Sequence, residues 1–286
     1  MSMPQQYARL GLGIRIMNSE YVTGASAPKR GTIQSVERAV SALQVFFEEG
    51  TSLSVTELVV KTSLAPATVH RLLSTLVKTG WLEQDPKSAR YELSVKMLGS
   101  AAMVLASSPL LHHGRHFLSG ISETTGLNSY LAVLIGRGSV LLAQGHGKAG
   151  SASDPKFQVG KTLPFHATAS GKLFLAFLPE RERRQLLTRQ GELRKITSNT
   201  IVEPQRLEDE LEAVRRTGYA VDRGELYEGY RNIAVPVRKA AGDVVAALCC
   251  GGWLNQLSAD FEDFLLREMI PAAEEFSRVF GQFEPW

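Results

Sequence analysis

Between Leu53 and Tyr91 the chain reads LSVTELVVKTSLAPATVHRLLSTLVKTGWLEQDPKSARY, and this stretch restricts the fold more than any other. Val55, Leu58 and Val59 recur at i, i+3, i+4, so one short helix turns a single apolar stripe inward. Pro66 suits the first position of a second helix, where its missing N–H is no loss, and Val69, Leu72, Leu73 and Leu76 then keep a helical period. Gly80 stands where a helix is stopped by a left-handed residue. Two amphipathic helices joined by the few residues from Thr62 to Ala65 make the helix-turn-helix pattern, whose second helix enters the DNA major groove.

The polar side of that second helix carries Thr68, His70, Arg71, Ser74, Thr75 and Lys78, with hardly a carboxylate nearby. Arg71 can fork onto a guanine edge or a phosphate, and Thr68 and Thr75 can bond a base or pack against a thymine methyl. Trp81 to Glu83 and Arg90 to Leu93 then form two short strands around Asp85-Pro86-Lys87-Ser88, a hairpin. Placed directly behind a recognition helix, such a hairpin is a wing, with Lys87 and Arg90 at its tip to touch the DNA backbone or minor groove. The plainer alternative is a helical bundle with a solvated polar face. The trailing hairpin and the acid-free face argue against it.

These residues also carry a resemblance. Ser35-Val36-Glu37-Arg38-Ala39, Leu58, Thr68-Val69-His70-Arg71-Leu72-Leu73, Thr75-Leu76 and Gly80-Trp81-Leu82 resemble the N-terminal domain of the IclR family of bacterial transcriptional regulators. Leu163-Pro164-Phe165-His166-Ala167-Thr168-Ala169-Ser170-Gly171-Lys172 resembles its effector-binding domain. So do Gly218 to Asp222 with Glu228-Gly229, Ile233 to Val237, and Val244 to Leu248, all in family order over roughly residues 32 to 281.

Size and composition agree. A chain of 286 residues fits about two domains. Apolar runs such as Val244 to Cys250 are strand-length, well short of the ~20 residues a spanning helix needs, so no membrane partner is expected. A net charge of +3 and a pI near 8.8 permit nucleic-acid binding without requiring it. The only cysteines, Cys249 and Cys250, are adjacent, which excludes a disulfide framework and suits a cytoplasmic protein.

Residues 1–31 have no sustained period and read as a flexible tail; Arg9, Arg15, Lys29 and Arg30 against Glu20 make it basic. It is a flexible arm, a mis-called start, or an arm that adds salt-dependent DNA affinity. Residues 32–94 are then a winged helix-turn-helix domain, with Val36, Ala39, Val40, Leu43, Phe46 and Phe47 packing beneath the two short helices. Residues 95–108 form a linker helix. From 109 to 286 the pattern is α+β: a helix to Thr125, a hairpin of Leu127 to Ile135 with Val140 to His146, and a mobile loop over Gly147 to Lys161. Helices follow near Ala167 to Phe177, Glu180 to Arg189 and Pro204 to Thr217, with strands at Tyr219 to Asp222, Asn232 to Arg238 and Val244 to Cys250. A last helix uses Phe261, Leu265, Met269, Ala272 and Phe276. The resemblance implies a GAF-like sensor fold for this part.

Leu163 to Lys172 is a loop running into a helix, so backbone N–H groups near Ala169 and Ser170 point out of an anion-binding helix end. The resemblance implies Leu163, Ala169, Ser170, Asp222, Tyr230, Asn232, Cys249 and Gly251 as effector-binding positions. Singly, Cys249 reads equally as an inert core thiol and Asp222 as a turn or salt-bridge carboxylate. The chain departs from the family where Cys249-Cys250-Gly251-Gly252 replaces a serine-x-serine-glycine run and Asn232 replaces a small residue. With Tyr230, Phe165 and Tyr130 nearby, the expected effector is larger and less polar than a two-carbon acid, an aromatic or substituted carboxylate. Pro66 and Ala67 replace the family's lysine and serine, which puts more weight on Thr68, Arg71 and Thr75.

Other chemistries are weaker. His166, Asp222 and Cys249 have the residue types of a nucleophile, base and orienter, but no nucleophile elbow or phosphate loop frames them. His112, His113 and His116 share a helix, yet no cysteine or carboxylate nearby completes a metal set. The sequence therefore predicts a regulator that needs no cofactor or metal and is not an enzyme. It works as a homodimer or tetramer on a near-palindromic double-stranded DNA operator and responds to a small carboxylate. The alternative is an enzyme or metal-responsive sensor built on the C-terminal domain.

Overall fold

The computed structural model describes residues 32–50, 52–136, 138–148, 157–258 and 260–281. The tail expected at 1–31 and the middle of the loop expected over Gly147 to Lys161 lie outside them. The chain divides into two compact units, one ending at Ser107 and the other beginning at Ser108.

In the first unit α1 (Gln34–Glu49), α2 (Val55–Thr62) and α3 (Pro66–Lys78) precede a hairpin of β1 (Leu82–Gln84) and β2 (Tyr91–Leu93), and α4 (Val95–Ser107) follows. The helix ends are set by local chemistry. Ser54 and Glu57 form a reciprocal capping box at the start of α2. Gly80, at φ +78°, ends α3: its N–H donates to the Val77 carbonyl and that of Trp81 to the Leu76 carbonyl, the Schellman pattern. Leu58, Val69, Leu73 and Leu76 meet Ala42, Phe46, Leu82 and Tyr91 in one core. Leu53 pairs with Tyr91 through two 2.8 Å backbone bonds, tying the hairpin to the lead-in of α2.

The expected inner stripe of α1 is corrected. Ala42 and Phe46 are buried with Leu43 and Val45 against them, while Val36, Val40 and Phe47 lie at the surface. The helix has two apolar sides, and periodicity alone does not say which one this chain covers. On α4 no residue is buried; Val95, Leu98 and Met103 are each over 70% exposed.

The second unit is built on a fully antiparallel sheet in the order β5-β4-β3-β8-β7-β6. Its strands are β3 (Asn128–Ile135), β4 (Gly138–Gly145), β5 (Thr162–Pro164), β6 (Ala220–Arg223), β7 (Tyr230–Arg238) and β8 (Val244–Trp253). The three-residue β5, inside the loop-to-helix segment, escaped the sequence reading. Alternation along each strand sends side chains to two faces. One face packs against α5 (Pro109–Thr125) and α9 (Phe261–Gly281) through Leu131, Val133, Val235 and Leu248. On α9 Ala273 takes the buried place expected of Ala272, which is only half-buried. The other face, with Tyr130, Ala132, Ala234 and Ala247, packs against α6 (Ala169–Phe177) and α8 (Pro204–Thr217); α7 (Glu180–Gln190) lies between those two in sequence. The small side chains there let a helix come close. At Gly171 of α6 a side chain would meet the Phe165 backbone at 2.2 Å, so only glycine fits.

Candidate functional site

Along α3, Thr68 is half-buried, and His70, Arg71, Ser74, Thr75 and Lys78 are exposed on the side away from Val69, Leu73 and Leu76. The helix contains no carboxylate. Thr75 spends its hydroxyl proton on the Arg71 carbonyl at 2.8 Å, which leaves its methyl and an accepting oxygen outward. Lys87 is exposed at the hairpin turn, where the Asp85 carboxylate accepts from the Lys87 backbone N–H at 2.9 Å.

Arg90 sits differently from the free tip residue that its position in the sequence suggests. Its guanidinium folds back to Ser52 Oγ at 3.0 Å, the Ser52 carbonyl at 2.7 Å and Glu57 Oε2 at 2.8 Å. Glu57 thus accepts from Ser54 at the helix cap and from Arg90, and these bonds hold its carboxyl down at about 2. The hairpin is moored to the N-terminus of α2 through this arginine.

In the second unit the strand registers align polar side chains on the α6/α8 face. Asn128 lies opposite Gly251, Gly251 opposite Asn232, and Asn232 opposite Asp222, so one row crosses β3, β8, β7 and β6. The adjoining row begins with Gln144 opposite Tyr130 and continues to Cys249. Asn232 Oδ1 and Gln144 Nε2 are buried without a hydrogen-bond partner. Such atoms cost free energy until something bonds them.

Leu163, Ala169, Tyr230 and Cys249 belong to the apolar cluster on this face, and Ser170 stands at the start of α6. The Ser170 hydroxyl bonds Ser139 Oγ at 2.7 Å and lies within hydrogen-bond reach of the Cys249 thiol. Thr168 caps α6 by accepting from the Gly171 N–H at 3.1 Å. Tyr230 bonds Tyr130, and burial first, then that neighbour, pushes its hydroxyl well above the ordinary value.

Asp222 is 2% exposed and accepts from the Glu225 N–H at 2.7 Å. Burial pushes its carboxyl up to about 7; the Glu225 N–H opposes this, the Glu225 charge adds to it, and the Lys172 ammonium opposes it again. Lys172, fully buried on α6, ties the region together by ion pairs to Glu225 at 2.6 Å and Glu210 at 2.9 Å. Lys172 and Glu225 were missed as a pair from the sequence, since 53 positions separate them. Phe157 was missed too. It is the large aromatic in a segment of glycine, serine and lysine, a signal that was available.

The residue types considered for catalysis do not converge. His166 Nε2 bonds the Arg194 carbonyl at 3.0 Å, Asp222 serves the Glu225 N–H, and the Cys249 thiol is pushed by burial up to about 12, the wrong direction for a nucleophile. Among the described residues no group of three or more histidine, cysteine, aspartate or glutamate side chains is placed to hold a metal ion. Among them, too, no helix is long and apolar enough to cross a membrane.

An acid-free recognition helix with a hairpin behind it, together with a sheet domain holding unpaired polar groups, defines a ligand-responsive helix-turn-helix transcriptional regulator. The chain belongs to the IclR family: residues 35–86 match the IclR helix-turn-helix domain and residues 102–278 match the bacterial transcriptional regulator IclR C-terminal domain. It is similar to the HTH-type transcriptional regulator XynR of Escherichia coli K12, with 34% identity over 254 residues covering 87% of this chain and 98% of XynR. Among solved structures, an IclR transcriptional regulator from Silicibacter sp. TM1040 superposes with TM-score 0.78 at 26% identity, covering 86% of this chain and 96% of that one. An IclR homologue from Microbacterium hydrocarbonoxydans, solved with 4-hydroxybenzoate, shares the fold at TM-score 0.67 and 23% identity over 86% of this chain and 99% of that one.

Proposed function

We propose that this regulator reads its operator with α3 in the major groove and responds to a small aromatic carboxylate bound on the α6/α8 face of the sensor sheet. On the DNA side Thr68, His70, Arg71, Ser74, Thr75 and Lys78 face bases and phosphates, and Lys87 reaches the backbone. Arg90 serves mainly by holding the wing. Copies of the chain pair to cover the exposed apolar sides of α1 and α4. Two such readers related by a two-fold axis require a near-palindromic operator.

The effector reading is carried by the polar row Asn128–Gly251–Asn232–Asp222, with its unpartnered Asn232 oxygen, lying beside the tyrosines Tyr130 and Tyr230. Leu163, Ala169, Ser170, Cys249 and Gly251 complete the surroundings. The N–H groups at the start of α6 favour a carboxylate, and the tyrosines favour a ring. The aromatic acid held by the Microbacterium homologue is consistent with that class of ligand. Binding acts on DNA affinity by favouring one of two states with different effector affinity.

Fluorescence anisotropy on DNA from just upstream of its own gene, against scrambled DNA over a salt series, tests the first half. Arg71→Ala is expected to lose about 1–3 kcal/mol on operator DNA and less on scrambled DNA; an equal loss on both assigns Arg71 to a phosphate. For the second half, aromatic acids are expected to raise the thermal midpoint and shift the DNA isotherm. Stabilisation by two-carbon acids alone would exclude the aromatic class.

A further inference from the structure

Phe157 is 3% exposed, whereas the residues from Gln158 to Lys161 that follow it are all at the surface. A single ring has been pushed inward from a surface segment. It lies 4.7 Å from the Tyr230 ring, 5.4 Å from Tyr130 and 5.5 Å from Tyr227, centroid to centroid, the first two tilted by 31° and 39° and the third edge-on. Tyr130 on β3 stands opposite the small Cys249 of β8, and Tyr230 on β7 stands opposite Trp253, whose ring lies edge-on at 5.2 Å. Phe157 thus occupies a ring-sized slot among Tyr130, Tyr227 and Tyr230.

The slot's surroundings do not suit a phenyl group alone. Gln144, directly opposite Tyr130, keeps its Nε2 buried and unbonded, and Asn232, two residues along from Tyr230 on the same face, keeps its Oδ1 so. A benzyl side chain has nothing to give either atom. A ring bearing carboxylate and hydroxyl groups accepts from the first and donates to the second. Phe157 leads into a short turn. The turn after it is held by the Gly160 N–H on the Leu141 carbonyl at 2.7 Å and the Lys161 N–H on the Gln158 carbonyl at 3.1 Å, and both bonds lie beyond the ring's own residue.

We propose that Phe157 is a resident occupant of the effector's ring position, and that an aromatic acid binds by exchanging with it. This rests on the effector reading above. Phe157 then sets specificity, because an incoming molecule must compete with a ring already in place, and apparent affinity falls by the fraction of molecules in which the slot is filled. A ligand without a ring leaves the tyrosines uncovered and cannot displace it.

The test is calorimetry on the full chain and on Phe157→Ala, with phenol and with benzoate, 4-hydroxybenzoate and 3,4-dihydroxybenzoate. The variant is expected to bind the best of these acids at least tenfold more tightly than the parent, and to bind phenol where the parent does not. Phe157→Leu, which keeps an apolar group in the slot but cannot stack, serves if the alanine variant does not fold; it is expected to lie between the two. In the parent protein, saturation with the acid is expected to speed hydrogen exchange at residues 158–161. Weaker acid binding by both variants, with slower exchange in the parent, would overturn the exchange and make Phe157 part of the site's wall. If the alanine variant binds phenol but neither protein binds any of the acids, the effector class falls, and the exchange falls with it. That result is distinct from the wall result.

Discussion

The two faces of the sensor sheet come from the same strands, residue by residue, yet differ in kind. Against α5 and α9 the packing is apolar almost throughout, with Phe117 stacked on Phe276 at 4.8 Å. Against α6 and α8 the same sheet buries Ser139, Ser170, Lys172, Asp222 and Glu225 among tyrosines and alanines. A buried charge or orphaned amide costs stability that an aliphatic side chain would not. One face therefore holds the domain together, and the other carries buried polar groups at a cost to stability.

Substitutions on the two faces should separate stability from response. The largest loss is expected from Phe276→Ala on the apolar face: about 4 kcal/mol in urea unfolding, as for other buried aromatics, with effector affinity unchanged. A parallel loss of affinity would break the division. Lys172→Met on the other face leaves Glu225 buried and uncompensated, so about 3 kcal/mol should be lost. Adding Glu225→Gln should restore part of it, which a double-mutant cycle measures. The smallest of the three concerns Asp222. A carboxyl whose folded value is raised to about 7 from an ordinary 3.8 binds its proton more tightly in the folded state, so its contribution becomes less favourable as pH rises from about 4 to 7. Asp222→Asn keeps an acceptor for the Glu225 N–H and removes the charge. The variant should match the parent near pH 4 and gain stability relative to it as pH rises to 8. Equal pH slopes in the two proteins would show that Asp222 is not the titrating group.

Much of the framework was legible from local rules. Pro66 and Gly80 mark helix ends by chemistry that acts within a few residues, and α3 falls between these marks. The apolar side of α1 was misassigned because a helix with two apolar stripes gives one periodic signal for both. Ala272 and Ala273 differ by one position on α9, which one-residue uncertainty in helix phase cannot resolve. The candidate site was legible only through motif resemblance. What makes the α6/α8 face distinctive arises from strand register and from an ion pair across 53 positions, neither of which leaves a local trace. Arg90 shows the opposite failing, in that its place near a hairpin turn suggested an outward role that Ser52 and Glu57 remove.

Cys249 and Cys250 are neighbours in the chain, but the strand sends them to opposite layers: Cys249 stands near Ser170, and Cys250 lies 3.7 Å from Thr125 on α5. They are a pair of built-in clocks. An alkylating reagent added under native conditions reaches each sulfur only when its own layer opens, so the two sites of alkylation, told apart by fragmenting the one peptide that holds both, time the breathing of the two sides separately within one molecule.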